Sequence, residues 1–245
     1  MALSKEVIML LENITMDDFK KGLKKTKTLI IPFGTIEEHG SHLPLSTDTI
    51  QVYEVVKEAA KRVKVFVAPP VHYGVLTSTR AHPGSIGISS DTLRAAARDI
   101  IKSAYNKGLR NFILISGHAG NIHLSALREV GEELIDEIDD IKIAVISEYD
   151  MIRKEGEKLV ETKNDGHAGE IETSRILYLA PELVKGRAKE EYPQLPSPFV
   201  IRDKLKYWKG GVWGNPAKAT KDKGKRLFLF SVNKVVEIVK RIEKR

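Results

Sequence analysis

The sequence predicts an α/β protein with a mainly parallel central sheet covered by helices on both faces. Three observations predict it. Apolar runs of strand length alternate with helical patterns along the chain. The runs are apolar throughout rather than at every second residue, as in strands buried on both faces. The length of 245 residues suits one domain with a sizeable core, and no repeat, low-complexity stretch or long linker divides it. Residues 1–245 therefore read as a single domain.

The elements follow in order. Residues 27–34 (KTLIIPFG) read as a buried strand and 48–62 as the helix after it. Residues 63–69 (VKVFVAP) form the next strand, and 91–107 a helix with a Ser/Asp start. Residues 110–116 (RNFILIS) are a third strand, 122–138 a third helix, and 141–148 (IKIAVISE) a fourth strand. A further helix is expected over 170–179, a turn-rich stretch over 193–198, and a terminal helix over 228–244.

Composition excludes several classes. There is no cysteine, so disulfides, thiolate metal sites and a cysteine nucleophile are absent. No apolar run approaches the roughly 20 residues of a membrane span. The start, MALSKEVIML, lacks the pattern of a secretory leader, so a cytoplasmic location is expected. The net charge of +7 raises the question of an anionic partner, either nucleic acid or a phosphorylated metabolite. The cations are dispersed, however. Lys20, Lys21, Lys24 and Lys25 lie near one end, and Lys240, Arg241, Lys244 and Arg245 at the other, without interleaved aromatics. A nucleic-acid platform is not expected.

In open parallel sheets ligands sit at the carboxyl ends of the strands. Three of the four expected strands lead into unusual loops, beginning at Thr35, His72 and Gly117, and six of the seven histidines lie in them; the seventh is His167. Glu37 and His39 stand two apart, so in extended chain both side chains point to one side. Asp48 follows at the start of a helix, where it or Thr47 can equally serve as a cap. His118 lies between Gly117 and Gly120, in a turn where Asn121 can cap the next helix. Glu, His, Asp and His are oxygen and nitrogen ligands suited to Zn, Mn or Fe(II). His167 and Glu170, three apart, share a helical face, whereas Glu172 points elsewhere in a regular helix. Their plain alternative is an acidic first turn complementing the helix dipole.

These segments resemble the creatininase family. PFGTIEEHGSHLPLSTD, residues 32–48, is similar to its leading motif, and GHAGN, 117–121, to its second. HAGEIETS, 167–174, looks like its third. GVWGNP, 211–216, with Ala219, Thr220 and Gly224, looks like its C-terminal signature. The resemblance covers about residues 30–224, in the family's order. It implies a three-layer α/β/α fold, a metal centre of one or two divalent ions (Zn, Mn or Fe), and a homo-oligomer, often a hexamer. It implies that Glu37 and His118 hold one ion and His39 the other, with Asp48 between them.

Two departures stand out. The family's type member carries a ligating glutamate two residues after the second-motif histidine; here that position is Gly120. A second ion must then borrow a carboxylate, Glu172 or Glu170. The family's Tyr-Gly-x-Ser-x-x-His segment here has Leu76 and Thr79 at the Ser and His positions. Tyr73, Ser78, Arg80, His82, Ala119 and Trp213 are the candidate substrate contacts, with Arg80 and His82 able to meet an anionic group.

The activity expected is hydrolysis of a C–N bond in a cyclic or linear amide, by hydroxide formed from water on the metal. His167 is the candidate acid–base residue and Glu38 a second. The small-molecule substrate is either creatinine-like or a formamide on a formamidopyrimidine nucleotide of flavin and deazaflavin biosynthesis. The alternative class is a non-catalytic phosphate- or nucleic-acid-binding protein.

Overall fold

The computed structural model describes residues 8–244. The stretch read for a leader falls largely outside them, as does Arg245. Five strands, β1 (Met9–Leu10), β2 (Thr28–Phe33), β3 (Phe66–Val67), β4 (Asn111–Ser116) and β5 (Lys142–Ser147), form one sheet in the order β1-β3-β2-β4-β5. Every pairing in it is parallel. Seven helices, α1 (Met16–Gly22), α2 (Thr47–Ala60), α3 (Ser90–Asn106), α4 (Asn121–Glu137), α5 (Glu148–Leu159), α6 (Glu170–Leu179) and α7 (Lys221–Lys244), cover it.

The continuous apolar strands are explained by two cores. Alternate residues of one strand feed opposite faces. Leu29, Ile31 and Phe33 of β2, with Phe112 and Leu114 of β4, pack with Leu93, Ile101 and Leu127 of α3 and α4. Ile30, Ile113 and Ile115 pack instead with Val52, Val55, Val232 and Val235 of α2 and α7. The sheet is thus the middle of three layers.

Most elements lie where the sequence places them, within two residues. β3 is shorter than the expected 63–69 because Pro69 and Pro70 bring no amide hydrogen to a ladder. α7 begins at Lys221 rather than 228. Its first turns lack an apolar stripe and contain Gly224, which reads as a helix breaker. The glycine instead allows close crossing, since a Cβ there would lie 1.9 Å from the Ser174 carbonyl oxygen on α6. β1, α1 and α5 are additions to the sequence reading, although α1 carries a capping box between Thr15 and Asp18. Asn121 does not cap α4: it is the first helical residue, and Gly120 takes the cap position.

The topology places the site. From β2 the chain crosses to β3 on one side, then returns to β4 on the other. The crevice between the carboxyl ends of β2 and β4 is therefore a switch point, where departing loops diverge and leave room for a ligand.

Candidate metal centre

The loop after β2 brings Glu37 and His39 into this crevice, the first turn of α2 brings Asp48, and the turn after β4 brings His118. The start of α6 adds His167 and Glu172. Glu37, His39, Asp48 and Glu172 are all buried. His39 Nε2 lies 3.2 Å from Asp48 Oδ1 and 3.7 Å from Glu172 Oε2. His118 Nδ1 lies 2.8 Å from Glu37 Oε2 and 3.3 Å from Asp48 Oδ2. Asp48 thus stands between the two imidazoles with one oxygen toward each.

Backbone carbonyls decide which nitrogen each imidazole presents. His39 Nδ1 donates to the Glu37 carbonyl at 3.1 Å, and His118 Nε2 to that of Val75 at 3.3 Å. His167 Nε2 donates to the carbonyl of Glu38 at 2.7 Å. A carbonyl only accepts, so each of these nitrogens carries the proton. In the neutral form that can hold a metal ion, the nitrogens left with lone pairs are Nε2 of His39, Nδ1 of His118 and Nδ1 of His167. This is the arrangement by which metal-ligating histidines are oriented.

Oxygen partners set the carboxylates. The Thr35 hydroxyl donates to Asp48 Oδ2 at 2.5 Å, and that of Thr79 to Glu37 Oε1. Thr79 occupies a position at which the resemblance expected histidine. Glu172 Oε2 accepts from the Ala168 amide at 2.6 Å.

The charge balance calls for a cation. Burial disfavours the charged imidazole of His39, but Asp48, Glu172 and Glu37 outweigh it and raise its pKa to about 10. The His118 pKa is raised well above the ordinary value: burial opposes the shift, and Glu37 and Asp48 outweigh it. Burial is also the largest influence on Glu172, and it raises that carboxyl. Three buried carboxylates thus draw in positive charge. His39 Nε2, although buried and close to two of them, makes no hydrogen bond among the described residues. A divalent ion fits this donor set. Glu37, His39 and Asp48 form one cluster of converging ligand atoms, and His39, His167 and Glu172 a second.

Two expectations are corrected. Glu170 is not near this centre. Its carboxylate accepts from the amides of Glu161 and Thr162 at 3.0 and 2.8 Å, and from Lys223 Nζ at 2.6 Å. Glu172 faces the centre instead, its Oε2 3.7 Å from His39 Nε2. His82 is not a solvated anion contact either: it is buried, and its Nε2 donates to the Trp208 carbonyl at 2.8 Å.

The other candidates differ in exposure. Tyr73, Arg80 and Ala119 are exposed, Ser78 is half-buried and Trp213 is exposed. Trp213 donates its amide to the His167 carbonyl at 2.6 Å. Glu38 accepts from the Gly40 amide at 2.9 Å and lies beside His167. Sequence reasoning missed Trp208, whose ring stands edge-on to His167 and His82 at 5.4 and 5.6 Å. Two tryptophans five apart in a glycine-rich segment were the available signal.

The family model for creatininase (creatinine amidohydrolase) matches residues 12–239. The chain belongs to the creatininase family. It is 30% identical to the mycofactocin precursor peptide peptidase of Mycobacterium ulcerans, over 87% of this chain and 85% of that protein. It is 25% identical to creatinine amidohydrolase of Pseudomonas putida, over 86% and 88% respectively. A solved Zn–Zn form of a creatininase variant superposes with a TM-score of 0.84 at 23% identity, covering 96% of this chain and 98% of that one. This creatininase-family hydrolase therefore has relatives named for a cyclic amide and for a peptide. No helix among the described residues is long and apolar enough to cross a membrane.

Proposed function

We propose that the chain hydrolyses the C–N bond of an amide substrate with one or two divalent ions (Zn, Mn or Fe). The ligands are Glu37, Asp48 and His118 on one side, and His39, Asp48 and Glu172 on the other. The observation that carries this reading is the convergence of imidazole lone pairs on buried carboxylates, with every opposite N–H held by a backbone carbonyl. Glu172 takes the place of the carboxylate missing at Gly120.

A divalent ion in this site supplies Lewis acidity toward water and an amide carbonyl. The chain supplies the rest. Asp48, oriented by Thr35, keeps the two imidazoles in register. His167 moves the proton to the departing nitrogen through Nδ1. Its side chain is 17% exposed, whereas that of His39 is fully sealed, so a substrate can reach it. Trp208, buried and edge-on to its ring, limits water there.

A formamide on a phosphorylated compound is favoured by one feature. Lys204 Nζ donates to the Thr77 carbonyl at 2.8 Å, near the charge of Arg80. No ion pair engages either cation among the described residues. We also propose a homo-oligomer, to be sized by light scattering.

The test is a hydrolysis screen of protein loaded with Zn, Mn or Fe(II). Its substrates are creatinine, hydantoins, short peptides and formamidopyrimidine nucleotides. Creatine, new amino termini or formate would identify the branch. Purified protein that takes up no divalent ion, or hydrolysis that persists in excess chelator, would overturn the proposal.

A further inference from the structure

His123, in the first turn of α4, is fully buried and is not among the converging ligands. Its Nδ1 accepts the amide hydrogen of Val75 at 3.2 Å. A backbone amide nitrogen only donates, so Nδ1 holds a lone pair and the proton of the neutral ring is on Nε2. Burial, followed by the charge of His118, holds its pKa down to about 3, so the ring is neutral near pH 7.

The other polar group of Val75 is taken by His118, whose Nε2 donates to the Val75 carbonyl at 3.3 Å. Two imidazoles thus grip one residue of the loop after β3, His123 by its amide and His118 by its carbonyl. Their rings stand edge to face, with centroids 5.3 Å apart and planes 88° apart. Gly74 makes the approach possible, since a Cβ there would lie 2.7 Å from His123 Nδ1. The same loop carries Thr79, which donates to Glu37.

Filling space does not account for a histidine here. Its Nε2 has no hydrogen-bond partner among the described residues. A buried donor of that kind costs stability that a leucine would not incur. What histidine adds is an acceptor at the Val75 amide.

We propose that His123 is a positioning residue of the metal centre. By holding the Val75 amide it fixes the carbonyl that orients His118, and so keeps His118 Nδ1 turned toward Glu37 and Asp48. The inference rests on the reading of His118 as a metal ligand.

The test measures Co(II) affinity of the full-length protein against a competing chelator, together with the visible absorption of the bound ion. His123→Leu is expected to bind Co(II) about 10- to 100-fold more weakly, with an altered absorption band. In His123→Asn the Oδ1 can accept from Val75, and most of the affinity should return. A space-filling role gives the opposite order, because leucine is nearer to histidine in volume. That order, or equal affinities in all three proteins, would overturn the proposal. His118→Ala separates the positioning role from the reading beneath it. Loss of Co(II) in His118→Ala with none in His123→Leu removes the positioning role alone, whereas an unsubstituted protein that takes up no Co(II) removes both. If neither variant at position 123 folds, hydrogen exchange of the Val75 amide in the unsubstituted protein replaces them. By linkage, bound Zn(II) should slow that exchange at least about fivefold. Equal rates with and without Zn(II) would show that the Val75 bond and the metal are independent, and the proposal would fall.

Discussion

The hydroxyl of Thr35 donates to Asp48 Oδ2 at 2.5 Å, joining the loop after β2 to the first turn of α2 across thirteen residues of chain. It fixes the carboxylate that stands between His39 and His118. Thr35→Val removes this bond while keeping the shape of the side chain. Divalent-ion affinity should fall about 10- to 100-fold, the usual cost of losing an outer partner of a ligand. Competition with a fluorescent chelator measures it; an unchanged affinity would mean that Asp48 is oriented without Thr35.

Gly120 cannot carry a side chain as the site stands. A Cβ there would lie 2.3 Å from His118 Nε2, the nitrogen that donates to Val75. Gly120→Glu, which writes the type member's ligand into this chain, should therefore weaken metal binding by at least about tenfold. Metal content after dialysis decides it. Retention of every ion would show that the His118 ring can shift without loss.

Glu170 and Glu172 should separate cleanly. Glu170→Gln removes the charge that meets Lys223 and two amides. It is expected to cost about 1–3 kcal/mol of stability with metal content preserved. Glu172→Gln should do the reverse, lowering metal content with little change in the stability of chelator-treated protein. Paired denaturant titration and metal analysis would expose a reversed assignment.

Below the site, Arg175 makes two hydrogen bonds to Glu148, at 2.6 and 2.8 Å, and Ser231 also donates to that carboxylate. All three are fully buried, tying α6 to the start of α5 and to α7. Arg175→Met should cost about 3–5 kcal/mol by leaving Glu148 unpaired. Adding Glu148→Leu should recover part of that loss. Equal stability of single and double variants in urea would argue against an isolated buried charge as the cause.

Burial, followed by the charge of His39, pushes His42 down to about 4. The unfolded chain takes up a proton on this residue near the ordinary 6.5, while the folded chain does not until about 4. Stability should therefore fall as pH drops between those values, by at most about 1.4 kcal/mol per pH unit. In chelator, His42→Asn should show a shallower acid limb than the unsubstituted protein. Parallel limbs would remove His42 as the cause.

The layer order and the place of the site were legible because their causes are local. The runs from Leu29 to Phe33 and from Phe112 to Ile115 are apolar at every position, and only strands with two buried faces require that. Their connections then put Glu37, His39 and His118 at one edge of the sheet. Glu170 and Glu172 were not distinguishable in this way. Both sit in the first turn of one helix, and which one meets His39 depends on how α6 is laid against α2 and α7. That is decided by the Gly224 crossing and the Arg175–Glu148 pair, contacts between residues far apart in the chain. The tautomers of His39, His118 and His167 are likewise set by carbonyls that only the folded loops bring within reach. Local patterning thus determined the elements and the ligand types, whereas long-range packing decided which lone pairs converge.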